Sequence, residues 1–282
     1  MPTAHDLLKQ YFGYDSFRPG PDKLVQSILS GRDTLGIMPT GAGKSICYQV
    51  PALLLPGLTL VISPLISLMK DQVGALNEAG VPAACVNSAM SAESMRDVLG
   101  YAAQGGYKLL YVAPERLTAP AFLSFAQRVP VSMVTVDEAH CISQWGQDFR
   151  PSYLKILDFL AALPARPLVS AFTATATEAV RDDIVRALGL RDPFALTTGF
   201  DRPNLYFAVE RPPSKPNALL RLLAARTGKS GIVYCATRKT VDDVCDMLLA
   251  KGLPATRYHA GLCAEERQRN QEDFLYDVKP IM

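Results

Sequence analysis

"DTLGIMPTGAGKSICYQV", residues 33–50, decides the fold. Its first seven residues form a short apolar run that reads as a buried strand, and the polar turn after them opens a helix. Gly41 and Gly43 permit a loop whose backbone N–H groups turn inward around phosphate oxygens, and the following helix adds its N-terminal dipole. Lys44 is placed to reach the β- and γ-phosphates, and Ser45 to set a hydroxyl on Mg²⁺. Met38 stands where such loops usually carry their first glycine, so the motif is loose there. Residues Met38, Pro39, Thr40, Gly41, Ala42, Gly43, Lys44 and Ser45 are the candidate triphosphate contacts.

Working outward, apolar runs at 58–64, 83–88, 107–114, 131–138 and 167–175 alternate with amphipathic stretches at 65–79, 91–103 and 115–127. This alternation predicts α/β architecture, a doubly wound parallel sheet whose ligands sit at the carboxyl ends of its strands. A Pro-rich segment, 199–217, interrupts it, and a domain boundary is expected near residue 205. Beyond it, helices at 218–226, 239–251 and 264–276 and strands at 231–237 and 255–260 are expected. The chain then stops at "VKPIM", inside what reads as a further strand.

One motif complements the phosphate loop. In "VDEAHCISQWGQDFRP" (136–151), Asp137 and Glu138 end the strand 131–136 at the same sheet edge. One acid can hold a magnesium shell while the other orients and deprotonates a water, as nucleoside triphosphate hydrolysis requires. An isolated Asp-Glu pair would read as a solvated helix cap; beside a phosphate loop it reads as a triphosphatase. The polar residues after it surround Trp145, the one tryptophan among 282 residues. With Phe149 it offers flat faces for stacking on bases, and Arg150 offers charge.

Bulk properties bound the alternatives. The 49% hydrophobic share supports a real core, and a net charge of +2 neither demands nor excludes a nucleic-acid partner. No apolar run approaches the roughly 20 residues of a membrane helix, and the N-terminus lacks a signal-peptide layout. A cytoplasmic protein, nucleoid-associated if bacterial, is expected. Six scattered cysteines show no zinc spacing, so neither zinc nor a disulfide framework is expected.

The motifs "FRPG", "MPTGAGKS", "SPLISLMKDQV", "YVAPERL", "DEAHCISQWGQDFRP", "TATA", "FDRPN", "SGIVYCATR" and "YHAGL" occur in this order. The chain resembles RecQ-type DNA helicases of superfamily 2 along nearly its whole length. The resemblance implies a RecA-like first lobe over 1–205 and part of a second RecA-like lobe over 206–282. It implies ATP and Mg²⁺ as cofactors, single-stranded or partially duplex DNA as partner, and 3′-to-5′ movement. Lys44, Asp137 (metal shell) and Glu138 (general base) are the implied catalytic set, and Ser45 with Asp137 the implied magnesium residues. Tyr14 and Arg18 are implied in the base pocket, and Thr173 and Thr175 in linking hydrolysis to lobe movement. The segments 63–73 and 111–117 are implied in DNA backbone contact, and Trp145, Phe149 and Arg150 in sensing single-stranded DNA. His140 is read as a coupling residue or a structural hydrogen bond, His259 as packing or a DNA-side contact, and Arg238 as a phosphate contact or a solvated surface residue.

Two departures qualify the resemblance. Pro21 replaces the glutamine that the family carries after "FRPG", removing an amide contact to adenine worth about 0.5–1.5 kcal/mol. The chain also stops before the last two motifs of the second lobe, one of which supplies an arginine to the γ-phosphate. Poor hydrolysis and little unwinding by this chain are therefore expected. The competing reading is a catalytically silent ATP- and DNA-binding paralogue.

Overall fold

The computed structural model describes residues 2–146, 148–199 and 204–282. The chain divides into two compact units, residues 1–202 and 203–282. Within the first, seven parallel strands form one sheet: β1 (Thr34–Ile37), β2 (Leu58–Ile62), β3 (Ala83–Val86), β4 (Leu109–Val112), β5 (Val131–Val136), β6 (Leu168–Thr173) and β7 (Phe194–Thr197). Their order is β3-β4-β2-β5-β6-β1-β7.

Alternate side chains of these strands feed two apolar clusters, one on each face. Leu60 and Ile62 of β2 join Val134, Val136 and Ala171 in the first, while Val61 joins Met133, Tyr111 and Phe172 in the second. Helices α2 (Pro21–Leu29), α3 (Lys44–Leu54) and α4 (Ile66–Glu78) cover the second cluster. Helices α5 (Ala92–Ala103), α6 (Pro120–Ala126), α7 (Ile156–Ala162) and α8 (Glu178–Ala187) cover the first. Burial on both faces explains why the strands read as continuous apolar runs. A further helix, α1 (Ala4–Phe12), packs Leu7 and Leu8 against Val50 of α3.

Some expected elements differ. The helix expected at 115–127 is a 3-10 turn, Pro114–Arg116, followed by α6. Pro120 has no N–H to continue a helix through it, and it suits the first turn of a new one. The short edge strand β7 was not expected; its burial alternates only partially, which weakens its pattern. In the second unit, α9 (Lys215–Ala224) begins earlier than expected because the Ser214 side chain accepts a hydrogen bond from the Asn217 N–H. Helices α10 (Arg238–Ala250) and α11 (Ala264–Leu275) fall close to expectation. The strands expected at 231–237 and 255–260 are corrected to single parallel bridges, from Gly231 and from Ala255 to Ile281. Both lean on residues 280–282: the Gly231 and Val233 N–H groups donate to Pro280 O and Met282 O, and the Thr256 N–H to Ile281 O. Of "FDRPN", only Asn204 lies within the described residues.

At the amino ends of the strands, Asp33 joins segments far apart in sequence. Its carboxylate, on a residue 4% exposed, accepts from both terminal nitrogens of Arg166, from the Val169 N–H (3.0 Å) and from the Arg191 N–H (2.7 Å). Arg166 also donates to Gly189 O at 3.0 Å. Asp33→Ala strands an arginine and two N–H groups, so it should cost about 3–5 kcal/mol. Urea denaturation of the variant checks this; a loss under about 1 kcal/mol would show that the clasp is dispensable.

Candidate nucleotide and nucleic-acid site

The carboxyl ends of β1, β6, β5 and β2 lie on one edge of the sheet, and each carries part of the site. β1 leads into the phosphate loop. Met38 N–H donates to Thr173 O at 2.9 Å, locking the loop's root to the end of β6. Met38 is fully buried and has no positive φ, so an L-residue fits where a glycine was looked for. Gly41 (φ 80°) and Gly43 (φ 94°) adopt left-handed conformations that favour glycine. Gly43 caps α3, so Lys44 and Ser45 occupy its first turn. Arg18 Nη1 donates to Gly41 O at 2.7 Å, bracing the loop from outside. Tyr14, Phe17, Arg18 and Pro21 line a cavity against Gly41, Ala42 and Gly43, the place expected for a base. The Lys44 ammonium donates to Met38 O at 3.3 Å.

Asp137 and Glu138 follow β5 in a strained turn. Asp137 N–H continues the ladder to Ile62 O (2.8 Å), and buried Tyr153 donates its hydroxyl to Asp137 O (2.9 Å). Glu138 then sits at φ 47°, ψ 47°, a left-handed conformation uncommon for a non-glycine residue and concentrated at functional sites. Its N–H donates back to Asp137 Oδ1 at 3.0 Å.

The two acids differ electrostatically. Burial first, and the Glu138 charge second, push the Asp137 carboxyl up to about 6, although Lys44 pulls against them. The His140 hydrogen bond, helped by Lys44, holds Glu138 below its ordinary range despite partial burial. The neighbouring Cys141 sulfur (3.8 Å) and the Glu138 carboxylate (3.3 Å) push His140 up to about 10. Lys44 therefore faces one carboxylate that is firmly charged and one that is reluctantly so.

His140 joins the acids to the expected coupling segment. Its Nδ1 lies 2.8 Å from Thr173 Oγ1, and that hydroxyl donates to Thr175 O at 3.2 Å. His140, Thr173 and Thr175 thus form one hydrogen-bonded chain across the ends of β5 and β6, ending on the Thr175 carbonyl. The oxygens expected to meet magnesium are the Asp137 carboxylate and the Ser45 hydroxyl. Among the described residues no group of three or more His, Cys, Asp or Glu forms a metal cage. Two protein oxygens fit Mg²⁺, which keeps several waters and leans on substrate phosphates rather than on an all-protein cage.

Beyond the 3-10 turn Ala139–Ile142, the chain reverses at Trp145, which is 80% exposed. Phe149 is half-buried. Arg150 is engaged within the protein: Nε and Nη2 donate to Asp148 Oδ2 (3.0 and 2.8 Å), and Nη1 donates to Pro64 O (3.0 Å) after β2. Gln147 lies outside the described residues. Arg116 of the 111–117 segment donates twice to Asn87 O. In the second unit, His259 has both ring nitrogens engaged, by Asp242 Oδ1 at 3.1 Å and by the Gly261 N–H at 3.1 Å. Arg238 opens α10 and is exposed. Sequence reasoning missed Tyr153 and the Ser143–Asp183 contact (2.8 Å), because each spans a gap with no periodic signature.

The six cysteines are free. No described helix is long and apolar enough to cross a membrane.

Two family profiles match the chain: DEAD/DEAH box helicase over residues 18–183 and helicase conserved C-terminal domain over 214–282. ATP-dependent DNA helicase RecQ of Bacillus subtilis is 46% identical over 283 residues, covering 100% of this chain and 48% of that protein. The Haemophilus influenzae RecQ helicase is 45% identical over 276 residues, covering 98% of this chain and 44% of that protein. The chain thus spans about half the length of the curated relatives it matches. Dbp5 of S. cerevisiae, solved bound to Gle1, shares the fold at a TM-score of 0.73 and 18% identity, over 98% of this chain and 71% of its own. A phosphate loop, an acid pair and an aromatic turn on one sheet edge are thereby joined to 45% and 46% identity with RecQ helicases along nearly the whole of this chain, and the chain belongs to the DEAD/DEAH box helicases.

Proposed function

We propose that this chain is the ATP-binding part of a DNA helicase motor that hydrolyses Mg-ATP and moves 3′ to 5′ on single-stranded DNA. Residues 1–205 would form the ATP-binding RecA-like lobe, and 206–282 part of a second. The observation that carries this reading is geometric: the acid pair after β5 and Lys44, which opens α3 behind the glycine-bearing loop after β1, share one edge of the sheet.

In this reading Lys44 and the N–H groups of residues 41–45 hold the phosphates. Ser45 and Asp137 would hold Mg²⁺, which when bound would neutralise phosphate charge. Glu138, ionised at neutral pH, accepts a hydrogen bond from the attacking water and takes its proton. The charged imidazole of His140 keeps that carboxylate oriented and passes its position to Thr173 and Thr175. Tyr14 and Arg18 flank the base, where Pro21 adds an apolar surface rather than an amide. Trp145 stacks on exposed bases, while Arg150 braces the turn through Asp148 and can meet phosphate only by exchanging that partner.

ATP turnover, with and without single-stranded DNA, tests the reading. Turnover, low in this chain, should rise with DNA and fall to background in Lys44→Ala and in Glu138→Gln. Bound ATP with turnover at the Glu138→Gln level would favour the silent binding paralogue. Trp145→Ala should weaken DNA binding by about 1–3 kcal/mol, read by titration at fixed salt; unchanged affinity would remove the stacking role.

Asp137 also predicts a trade of stability for function. Its pKa is raised from 3.8 to about 6, so the folded state binds the proton more tightly than the unfolded chain does. The cost of the buried charge is therefore full above about pH 6 and vanishes as pH falls towards 3.8. Its ceiling is roughly 3 kcal/mol, at about 1.36 kcal/mol per unit. Asp137→Asn should raise the melting temperature of the ligand-free protein by several degrees at pH 7.5 and by about a third as much at pH 4.5, while abolishing turnover. An equal shift at both pH values would show that ionisation is not the cause.

A further inference from the structure

Trp145 projects into solvent, so packing of its own ring does not hold it in place. What holds it is backbone. Ser143, 2% exposed, ends the 3-10 turn, and its hydroxyl accepts from the Trp145 N–H at 3.2 Å. That hydroxyl spends its proton on Asp183 Oδ2 of α8, at 2.8 Å. The hydroxyl donates and the carboxylate oxygen accepts. Gly146 closes the turn by donating to Ser143 O at 3.0 Å, and a Cβ there would stand 2.4 Å from His140 O. Asp183 is itself steadied by Arg186 Nη1 at 3.3 Å.

Helix α8 starts directly after the coupling segment, capped by the Thr177 side chain. The Trp145 turn is therefore tied to that segment twice. His140–Thr173 ties it at the end of β6, and Ser143–Asp183 ties it one turn and a half into α8. A displacement of residues 173–177 must carry both struts.

We propose that Asp183 is a positioning residue for the aromatic turn: its bond to Ser143 is the latch through which α8 sets Trp145 and makes DNA contact there felt at the ATP site. The coupling half of this inference rests on the functional reading above; the latch itself does not.

Because Trp145 is the chain's single tryptophan, its emission reports the turn alone. The test compares Asp183→Ala, Asp183→Asn and Ser143→Ala in the full chain, with thermal unfolding as the check on folding. Expected in Asp183→Ala and Ser143→Ala are lower Trp145 anisotropy and greater acrylamide quenching. Asp183→Asn keeps an acceptor and should behave as the parent. For turnover, Asp183→Ala should lower DNA stimulation by about tenfold while DNA-free turnover stays within about twofold. The Asn variant should restore stimulation, which a general loss of stability would not produce. Unchanged anisotropy and quenching in folded Asp183→Ala overturn the latch. A loosened turn with DNA stimulation intact overturns its coupling role. If the parent neither hydrolyses ATP nor responds to DNA, the functional reading fails, and the fluorescence arm still decides the latch.

Discussion

Two carboxylates that must lie side by side, out of water, constrain everything around the end of β5. Asp137 is 8% exposed and pays for desolvation and for its neighbour's charge. The fold keeps it there with main-chain bonds to Ile62 and Tyr153 and gives the adjacent Glu138 a left-handed backbone that turns its carboxylate towards His140. Lys44, from the other side of β6, and the His140 imidazole, 3.3 Å from Glu138, supply positive charge.

The surrounding hydrogen bonds make this edge one mechanical unit. The phosphate loop hangs from Thr173 O through Met38, His140 reaches the Thr173 hydroxyl, and Ser143 reaches α8. Arg150 ties the far side of the aromatic turn to Pro64, after β2. Loops after four strands thus share partners, so a change at one is not independent of the others. None of these bonds is strong alone, about 1 kcal/mol for neutral pairs and more for charged ones; the arrangement matters because it is continuous.

Much of this was legible in residues. The strand–loop–helix of 33–50 announced itself through two glycines, a lysine and a serine at fixed spacing, because a phosphate cradle needs those backbone angles and donors in sequence. The acid pair was legible from its place at the end of an apolar strand. The helix at 115–127 was misread, since apolar periodicity continues across Pro120 while the backbone cannot. The strands of the second unit were overread, because β-rich composition at 231–237 and 255–260 says nothing about how many partners a strand finds.

By itself the sequence determined the parallel α/β class, the phosphate loop and the acids, all of which are local: each depends on residues within a turn or two of one another. Only the tertiary structure decided the roles that depend on distance through space. Arg150 became a brace instead of a free charge because Asp148 and Pro64 O lie within 3.0 Å of it. Asp137 and Glu138, adjacent in the chain, parted in acidity because one was buried and the other met an imidazole. Ser143 found Asp183 forty residues away because α8 docks on the turn that bears it. Folding sets dielectric and proximity, and these quantities have no local signature in the chain.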